Sequence, residues 1–222
     1  MMRAFVGNDV VDLTDPRTRD KHRDERFVAR VLSEEERGIL AAAPDPATEL
    51  WRLWAAKEAA YKVVSKLLGE PPVFVHAAFP VTWAAGAARR RAGLVEHGEV
   101  RIPVEVGWDE ARVHAVAVSP GVEVAPEAEV AEAGDASLEE LLGRLTSREA
   151  DAVHSPASAS VRLAARRDLA RRLDVEEARL EIVCAPGVTG RRPPRVLLDG
   201  HPATADVSLS HHGRWIAWAI LV

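Results

Sequence analysis

The sequence predicts an α+β protein in two pieces of similar size, each with one long helix ahead of short strands. Three observations carry this: helices and strands come in blocks rather than in βαβ alternation, each half holds one long helical pattern, and an acidic stretch separates pieces of similar size. The first strand is Ala4 to Val11, an apolar run interrupted by Gly7-Asn8-Asp9. Arg26 to Leu40 reads as a helix broken near Ser33, because Glu34-Glu35-Glu36 after a serine suits an N-cap and first turn. The clearest helix runs from about 47 to 67. Asp45 or Thr48 caps it, Leu50, Leu53, Trp54, Lys57, Tyr61, Val64 and Leu68 recur at helical spacing, and Gly69 and Pro71 stop it. Val100 to Val106 and Val113 to Val118 alternate like paired strands joined through Gly107 to Glu110.

From Pro120 to Ala136 there are five acidic residues, two prolines, two glycines and no basic or aromatic side chain, which predicts a solvated linker. The chain therefore divides into residues 1–122, an acidic linker at 123–136, and residues 137–222. The second half repeats the order of helix, then strands. An arginine-rich helix spans Ser158 to Leu173, followed by strands at Leu180 to Ala185, Val196 to Leu198 and Ile216 to Val222.

With 34 acidic against 29 basic residues among 222, the net charge is −5, which argues against a general nucleic-acid binder. A chain that is 47% hydrophobic and 28% charged is that of a folded soluble protein. Its longest wholly apolar run, Trp215 to Val222, is far short of the roughly 20 residues that span a bilayer, and the uncharged stretch from Pro71 to Ala88 is broken by Pro80 and Gly86. The first residues reach Gly7-Asn8-Asp9 before an apolar targeting core can form, so a cytoplasmic location is expected. Cys184 stands alone, which excludes an intrachain disulfide and a cysteine zinc cluster. Only Lys21, Lys57, Lys62 and Lys66 are lysines. Neither Gly-x-Gly-x-x-Gly nor a P-loop is present, so any phosphate must be held by side chains or a metal.

Three segments carry polar residues that folding alone does not require. In Gly7-Asn8-Asp9-Val10-Val11-Asp12, a carboxylate within an apolar strand is costly unless paired, solvated or bound to a cation, and Gly7 is expected to leave room for a ligand; a strand cap or turn would also place Asp9 there. In Trp54 to Lys62, Glu58 and Lys62 are four apart on one helix face flanked by Ala55, Ala59 and Ala60; an ordinary Glu-to-Lys pair is the plainer reading. Ser208-Leu209-Ser210-His211-His212-Gly213-Arg214 gathers hydroxyls, imidazoles and a guanidinium, and is expected to be a polar turn able to bind an anion. Adjacent histidines in an extended segment point apart, which argues against joint chelation.

Taken in this order, the segments resemble the 4'-phosphopantetheinyl transferases. That family's pattern is a Gly-x-Asp-Ile/Val strand, Trp/Phe-x-x-Lys-Glu-Ala-x-x-Lys on a helix, and a Ser-x-Ser-His segment, matched here by Gly7 to Val10, Trp54 to Lys62 and Ser208 to His211. Arg26-Phe27 and Arg30-Val31-Leu32-Ser33 with Glu34 to Glu36 resemble the stretch between the first two motifs. The family has a short trimeric holo-acyl-carrier-protein synthase type and a longer monomeric surfactin-synthetase-activating type of two similar halves. This chain has the longer length but the shorter type's motif order. Arg162 to Leu173, Gly190-Arg191-Arg192-Pro193 and Ser210 to Trp215 resemble the long type's first half, which implies a circularly permuted two-half form with a pseudo-two-fold axis. Trp218 to Val222 and Ala4 to Val10 are then expected as adjacent strands with the chain ends close together.

The resemblance implies transfer of 4'-phosphopantetheine from coenzyme A to a serine of an apo acyl or peptidyl carrier protein, with Mg²⁺ as cofactor and adenosine 3',5'-bisphosphate released. The carriers of this chemistry serve fatty-acid, polyketide or nonribosomal peptide biosynthesis. Asp9 and Glu58 are implied as the metal ligands, Glu58 also as the base and Lys62 as the catalytic cation. Lys57, Lys62, Arg148, Arg162, Arg192, Ser210 and His211 are implied as coenzyme contacts. Val11 stands where the long type has a second acid, so water or Asp12 is left to complete the metal shell. A monomer with one site between its halves follows, with no nucleic acid and no membrane as partner. The alternative is a coenzyme A binder of the same fold without turnover.

Overall fold

In the computed structural model, residues 4–84, 89–188 and 190–222 are described. The first half consists of β1 (Val6–Asp12), α1 (Glu25–Val31), α2 (Glu34–Ala42), α3 (Pro46–Leu68), β2 (Val81–Trp83), β3 (Arg90–His97), β4 (Val100–Trp108) and β5 (Arg112–Val118). Its strands form an antiparallel sheet in the order β1-β5-β4-β3-β2. The expected break at Ser33 is a capping box: the serine hydroxyl accepts from Glu36 N, and the Glu36 carboxylate accepts from Ser33 N. Asp45 caps α3 by accepting from Thr48 N at 3.1 Å, and Gly69 ends it at φ 76°.

One face of α3 is lined by Ala55, Ala56, Ala59, Ala60 and Val63, all fully buried against Val11, Val106, Ala115 and Ala117 of the sheet. Small side chains let the helix approach β1 to backbone contact. A Cβ on Gly7 would overlap the Ala59 carbonyl oxygen and lie 3.0 Å from Val63 Cγ2. The space at Gly7 is therefore taken by the helix, which corrects the expectation of room for a ligand there. Gly7→Ala is expected to force β1 away from α3 and lower stability by about 1–3 kcal/mol, measured by urea unfolding. A loss below about 0.5 kcal/mol would show that the two elements can separate freely.

The second half consists of β6 (Glu127–Glu132), α4 (Leu138–Leu142), α5 (Ser147–Ala150), α6 (Pro156–Leu173), β7 (Leu180–Val183), β8 (Pro186–Gly187), β9 (Gly190–Arg191), β10 (Arg195–Leu198), β11 (His201–Pro202), β12 (Asp206–His212) and β13 (Trp215–Leu221). Sheets of order β12-β13-β6 and β11-β10-β7 share a core with α6, in which Val161, Ala165 and Leu169 meet Ile182, Val196, Val207 and Ile220.

Two expectations are corrected here. Residues 127–132 are a strand paired with β13 and not linker; Ala128 and Val130 face inward, while Glu127, Glu129 and Glu132 carry charge along an edge. Residues 206–212 are likewise a strand, the turn being confined to Gly213-Arg214. Gly213 sits at φ 56°, and Asp12 closes the turn by accepting from Arg214 N at 3.1 Å.

The two sheets meet through side chains. On the outer edge of β1, the N–H groups of Val6, Asn8, Val10 and Asp12 donate to Asp206 Oδ2 (2.8 Å), Ser208 Oγ (2.9 Å), Ser210 Oγ (3.2 Å) and His212 Nδ1 (3.1 Å). The constant offset of 200 residues means that β1 and β12 run parallel, in register. Lys66 Nζ donates to the carbonyls of Val6 (2.6 Å) and Val207 (2.8 Å), and Lys62 Nζ to those of Asn8 (2.6 Å) and Leu209 (3.4 Å). The strand lying edge-on to the first is thus β12, whereas β13 packs behind it, with Val6 against Ala219 and Leu221, and Val10 against Trp215 and Ala217. Ala4 joins the cluster of Val6 and Leu221, so the described ends of the chain are neighbours.

Candidate active site

At the middle of this seam the three polar segments converge. Asp9 is buried on the α3 side of β1, and its Oδ1 accepts from Ser210 Oγ at 2.8 Å and from Lys62 Nζ at 3.1 Å. Burial lifts the Asp9 carboxyl to about 6; the Glu58 charge adds to the lift, and Lys62 and Ser210 oppose it. Glu58, one turn before Lys62 on α3, meets His76 Nε2 at 3.2 Å. Asp12 is committed elsewhere: Oδ1 accepts from Thr14 N and Oγ1, and Oδ2 from Arg214 N. Among the described residues no group of three His, Cys, Asp or Glu side chains is arranged to hold a metal.

A cleft of about 520 Å³ opens beside Lys62. Its walls are Tyr61, Lys62 and Ser65 of α3, the Pro71–Val73 segment and the Arg191–Pro194 loop, with Ser208 and Leu209 at its base. An ion pair between Arg192 and Glu70 ties that loop to the end of α3. Arg192 thus faces the same cleft as Lys62, and His211 is exposed on β12 next to Ser210.

Other residues singled out in the sequence are placed differently. Lys57 is fully buried, with Nζ bonded to Glu36 Oε2 (2.7 Å), Phe79 O (2.9 Å) and His76 O (3.0 Å). All three ammonium donors are spent inside the protein, so Lys57 is corrected from a coenzyme contact to a structural residue. Ser210 Oγ is buried and both accepts from Val10 N and donates to Asp9, which makes it a support for the carboxylate. Arg148 pairs with Glu181, while Arg162 is buried with Nε on Ile182 O at 2.9 Å; neither lines the cleft. Lys66 was passed over in the sequence, although its position four residues after Lys62, in a chain with four lysines, was the available signal.

Behind Asp9, the Asn8 side chain meets His114 Nε2 at 3.3 Å. Desolvation, helped by the charges of Arg112 and Lys62, pushes the His114 imidazole down to about 4. The unfolded chain takes up this proton near 6.5 and the native protein only near 4, so the stability it contributes is full above 6.5 and is lost as the pH falls through that window. Chemical unfolding at pH 6.5 and 4.5 is expected to show wild type losing about 1–2 kcal/mol more than His114→Gln. Equal losses would remove His114 from the account.

The family model described as the 4'-phosphopantetheinyl transferase superfamily matches residues 5–117, half of the chain. The chain belongs to this superfamily. As a member it is an enzyme of the 4'-phosphopantetheinyl transferase class, and the matched span holds β1, α3 and the Asp9, Glu58 and Lys62 side chains. Among solved structures, this transferase is similar to the holo-acyl-carrier-protein synthase of Neisseria meningitidis, at 21% identity over 52% of this chain and 96% of that one, with a TM-score of 0.40. It is also similar to the Thermotoga maritima holo-acyl-carrier-protein synthase, at 15% identity over 90% of this chain and 86% of that one, again with a TM-score of 0.40. No curated protein matches the transferase. No helix among its described residues is long and apolar enough to cross a membrane.

Proposed function

We propose that the protein transfers the 4'-phosphopantetheine group of coenzyme A to a serine hydroxyl of an apo acyl or peptidyl carrier protein, as a monomer whose two halves form one site. The observation that carries this reading is the meeting of Asp9, Lys62 and Ser210 on one carboxylate oxygen, beside Glu58 and at the edge of a cleft of about 520 Å³. A cavity of this size suits a small-molecule substrate.

Two neighbouring carboxylates, one of them lifted to about 6 by burial and by the other's charge, fit a hard divalent cation. Asp9 and Glu58 would hold Mg²⁺, with substrate phosphates and water completing its shell. When bound, the ion would supply positive charge against the pyrophosphate oxygens. Glu58 would take the proton of the carrier serine as its oxygen attacks the phosphorus on the pantetheine side. The bond between that phosphorus and the bridging oxygen breaks as the new one forms, and the bridging oxygen departs with adenosine 3',5'-bisphosphate. Lys62, which reaches both Asp9 and the cleft, would offset the charge of that leaving group. Arg192 and His211 are the candidates for the coenzyme's remaining phosphate, and Asp9 keeps its orientation through Ser210. The motif order supports a permuted arrangement of the two halves, with β6 as part of the segment that joins them.

Mass spectrometry of an apo acyl carrier protein and an apo peptidyl carrier domain, each incubated with this protein, coenzyme A and Mg²⁺, tests the reading. A gain of about 340 Da, the mass of the transferred group, is expected on at least one carrier and none after chelation of the metal. Thermal stabilisation by coenzyme A with no gain on either carrier would favour a binder without turnover; the absence of both mass gain and stabilisation would overturn the reading.

A further inference from the structure

The segment after α3 carries a histidine that neither the sequence motifs nor the family match assigns a role. His76 lies in the short turn His76–Ala78, and its Nε2 meets Glu58 Oε1 at 3.2 Å. Its ring is held between two aromatic rings, with centroids 4.1 Å from Trp54 and 4.0 Å from Phe74. Its backbone is fixed as well, since the His76 carbonyl accepts from the buried Lys57 ammonium at 3.0 Å. Phe74 in turn stacks on Tyr61 at 4.2 Å, and Tyr61 Oη donates to Pro72 O at 3.0 Å. Ring, backbone and flanking loop are thus all anchored to α3, the helix that carries Glu58.

From this arrangement we infer that His76 is a positioning residue for Glu58: its Nε2–H holds Oε1 and leaves the other carboxylate oxygen to receive the serine proton. A carboxylate on a helix surface otherwise samples several rotamers, and a proton acceptor works only when held within hydrogen-bond reach of its target. A fixed donor on one oxygen removes that freedom in the way that second-layer partners orient the ligands of metal sites. The contacts with Trp54 and Phe74, tilted by 32° and 36°, restrict rotation of the imidazole and so help to aim Nε2. The inference rests on the role proposed above for Glu58.

Two variants separate the hydrogen bond from the packing. His76→Phe keeps a ring between Trp54 and Phe74 but has no donor, and His76→Gln keeps an N–H donor at similar reach but no ring. In the carrier-modification assay, His76→Phe is expected to lower kcat by about 10–100-fold with KM for coenzyme A unchanged and with the melting temperature near wild type. His76→Gln is expected to recover most of kcat, and the double variant Glu58→Gln/His76→Phe to be no slower than Glu58→Gln alone. A second readout needs neither metal nor turnover: in the protein alone, nitrogen NMR of His76 is expected to show Nε2 protonated, with its resonance shifted by Glu58→Ala. A wild-type kcat in His76→Phe, equal losses in Phe and Gln variants, or an Nε2 resonance indifferent to Glu58→Ala would each overturn the inference. A wild-type protein that modifies no carrier would instead overturn the functional reading, and this inference with it.

Discussion

Glu58→Gln is expected to leave the protein folded and to lower phosphopantetheine transfer by about 10²- to 10⁴-fold, the range for loss of a positioned proton acceptor. Glutamine keeps the size of the side chain and an oxygen for His76, so the change isolates the carboxylate's charge and basicity. Asp9→Asn is expected to fall in the same range, since the amide oxygen can still accept from Ser210 while the negative charge beside Glu58 is gone. Quenched-flow or discontinuous mass-spectrometric rates on the same apo carrier would measure both. Transfer within threefold of wild type by either variant would remove that residue from the chemistry.

The second large effect concerns stability. Lys57→Met is expected to cost about 3–5 kcal/mol in urea unfolding, because it strands the Glu36 carboxylate in the core and leaves the carbonyls of His76 and Phe79 without their donor. Glu36 also receives the N–H groups of Val81 and Ser33, so it cannot turn to solvent without releasing β2 and the start of α2. Combining Lys57→Met with Glu36→Gln should recover a large part of the loss, since the glutamine oxygen can still accept from Val81 and no charge stays buried. A single variant within about 1 kcal/mol of wild type would mean that water reaches the Glu36 carboxylate once the ammonium is removed.

Lys62 and Lys57 show how far the sequence could be read. The helix bounds of α3 followed from Asp45, the apolar period and Gly69, and came within a residue of those observed. Asp9, Glu58 and Lys62 stand out by residue type and spacing, because a carboxylate in an apolar strand and a charge pair beside alanines are visible without coordinates, but only the family resemblance joins them into one expected site. Lys57 sits in the same motif, yet its partners Glu36, His76 and Phe79 are 19 to 22 residues away, and nothing local distinguishes an inward from an outward ammonium. Gly7 gave the converse ambiguity: a missing side chain signals close approach but not by what. In β6, acidic composition hid an alternation in which Ala128 and Val130 face inward between exposed glutamates. In β12, the polar residues that suggested a turn are polar because they meet a strand edge.

That edge bears on how the molecule stays a single object. A backbone ladder is indifferent to sequence, so an exposed outer edge of β1 would accept a strand from any chain, including another copy of itself. Here each outward N–H of β1 is answered by a chosen side chain at every second position of β12, and two lysines close the carbonyls between them. Such a joint works like a key with four teeth: it admits one partner in one register, and a shift by a single residue presents the apolar Val207 and Leu209 where acceptors are required. The carboxylate at Asp9 is therefore aligned to within one strand position by residues some two hundred places further along the chain.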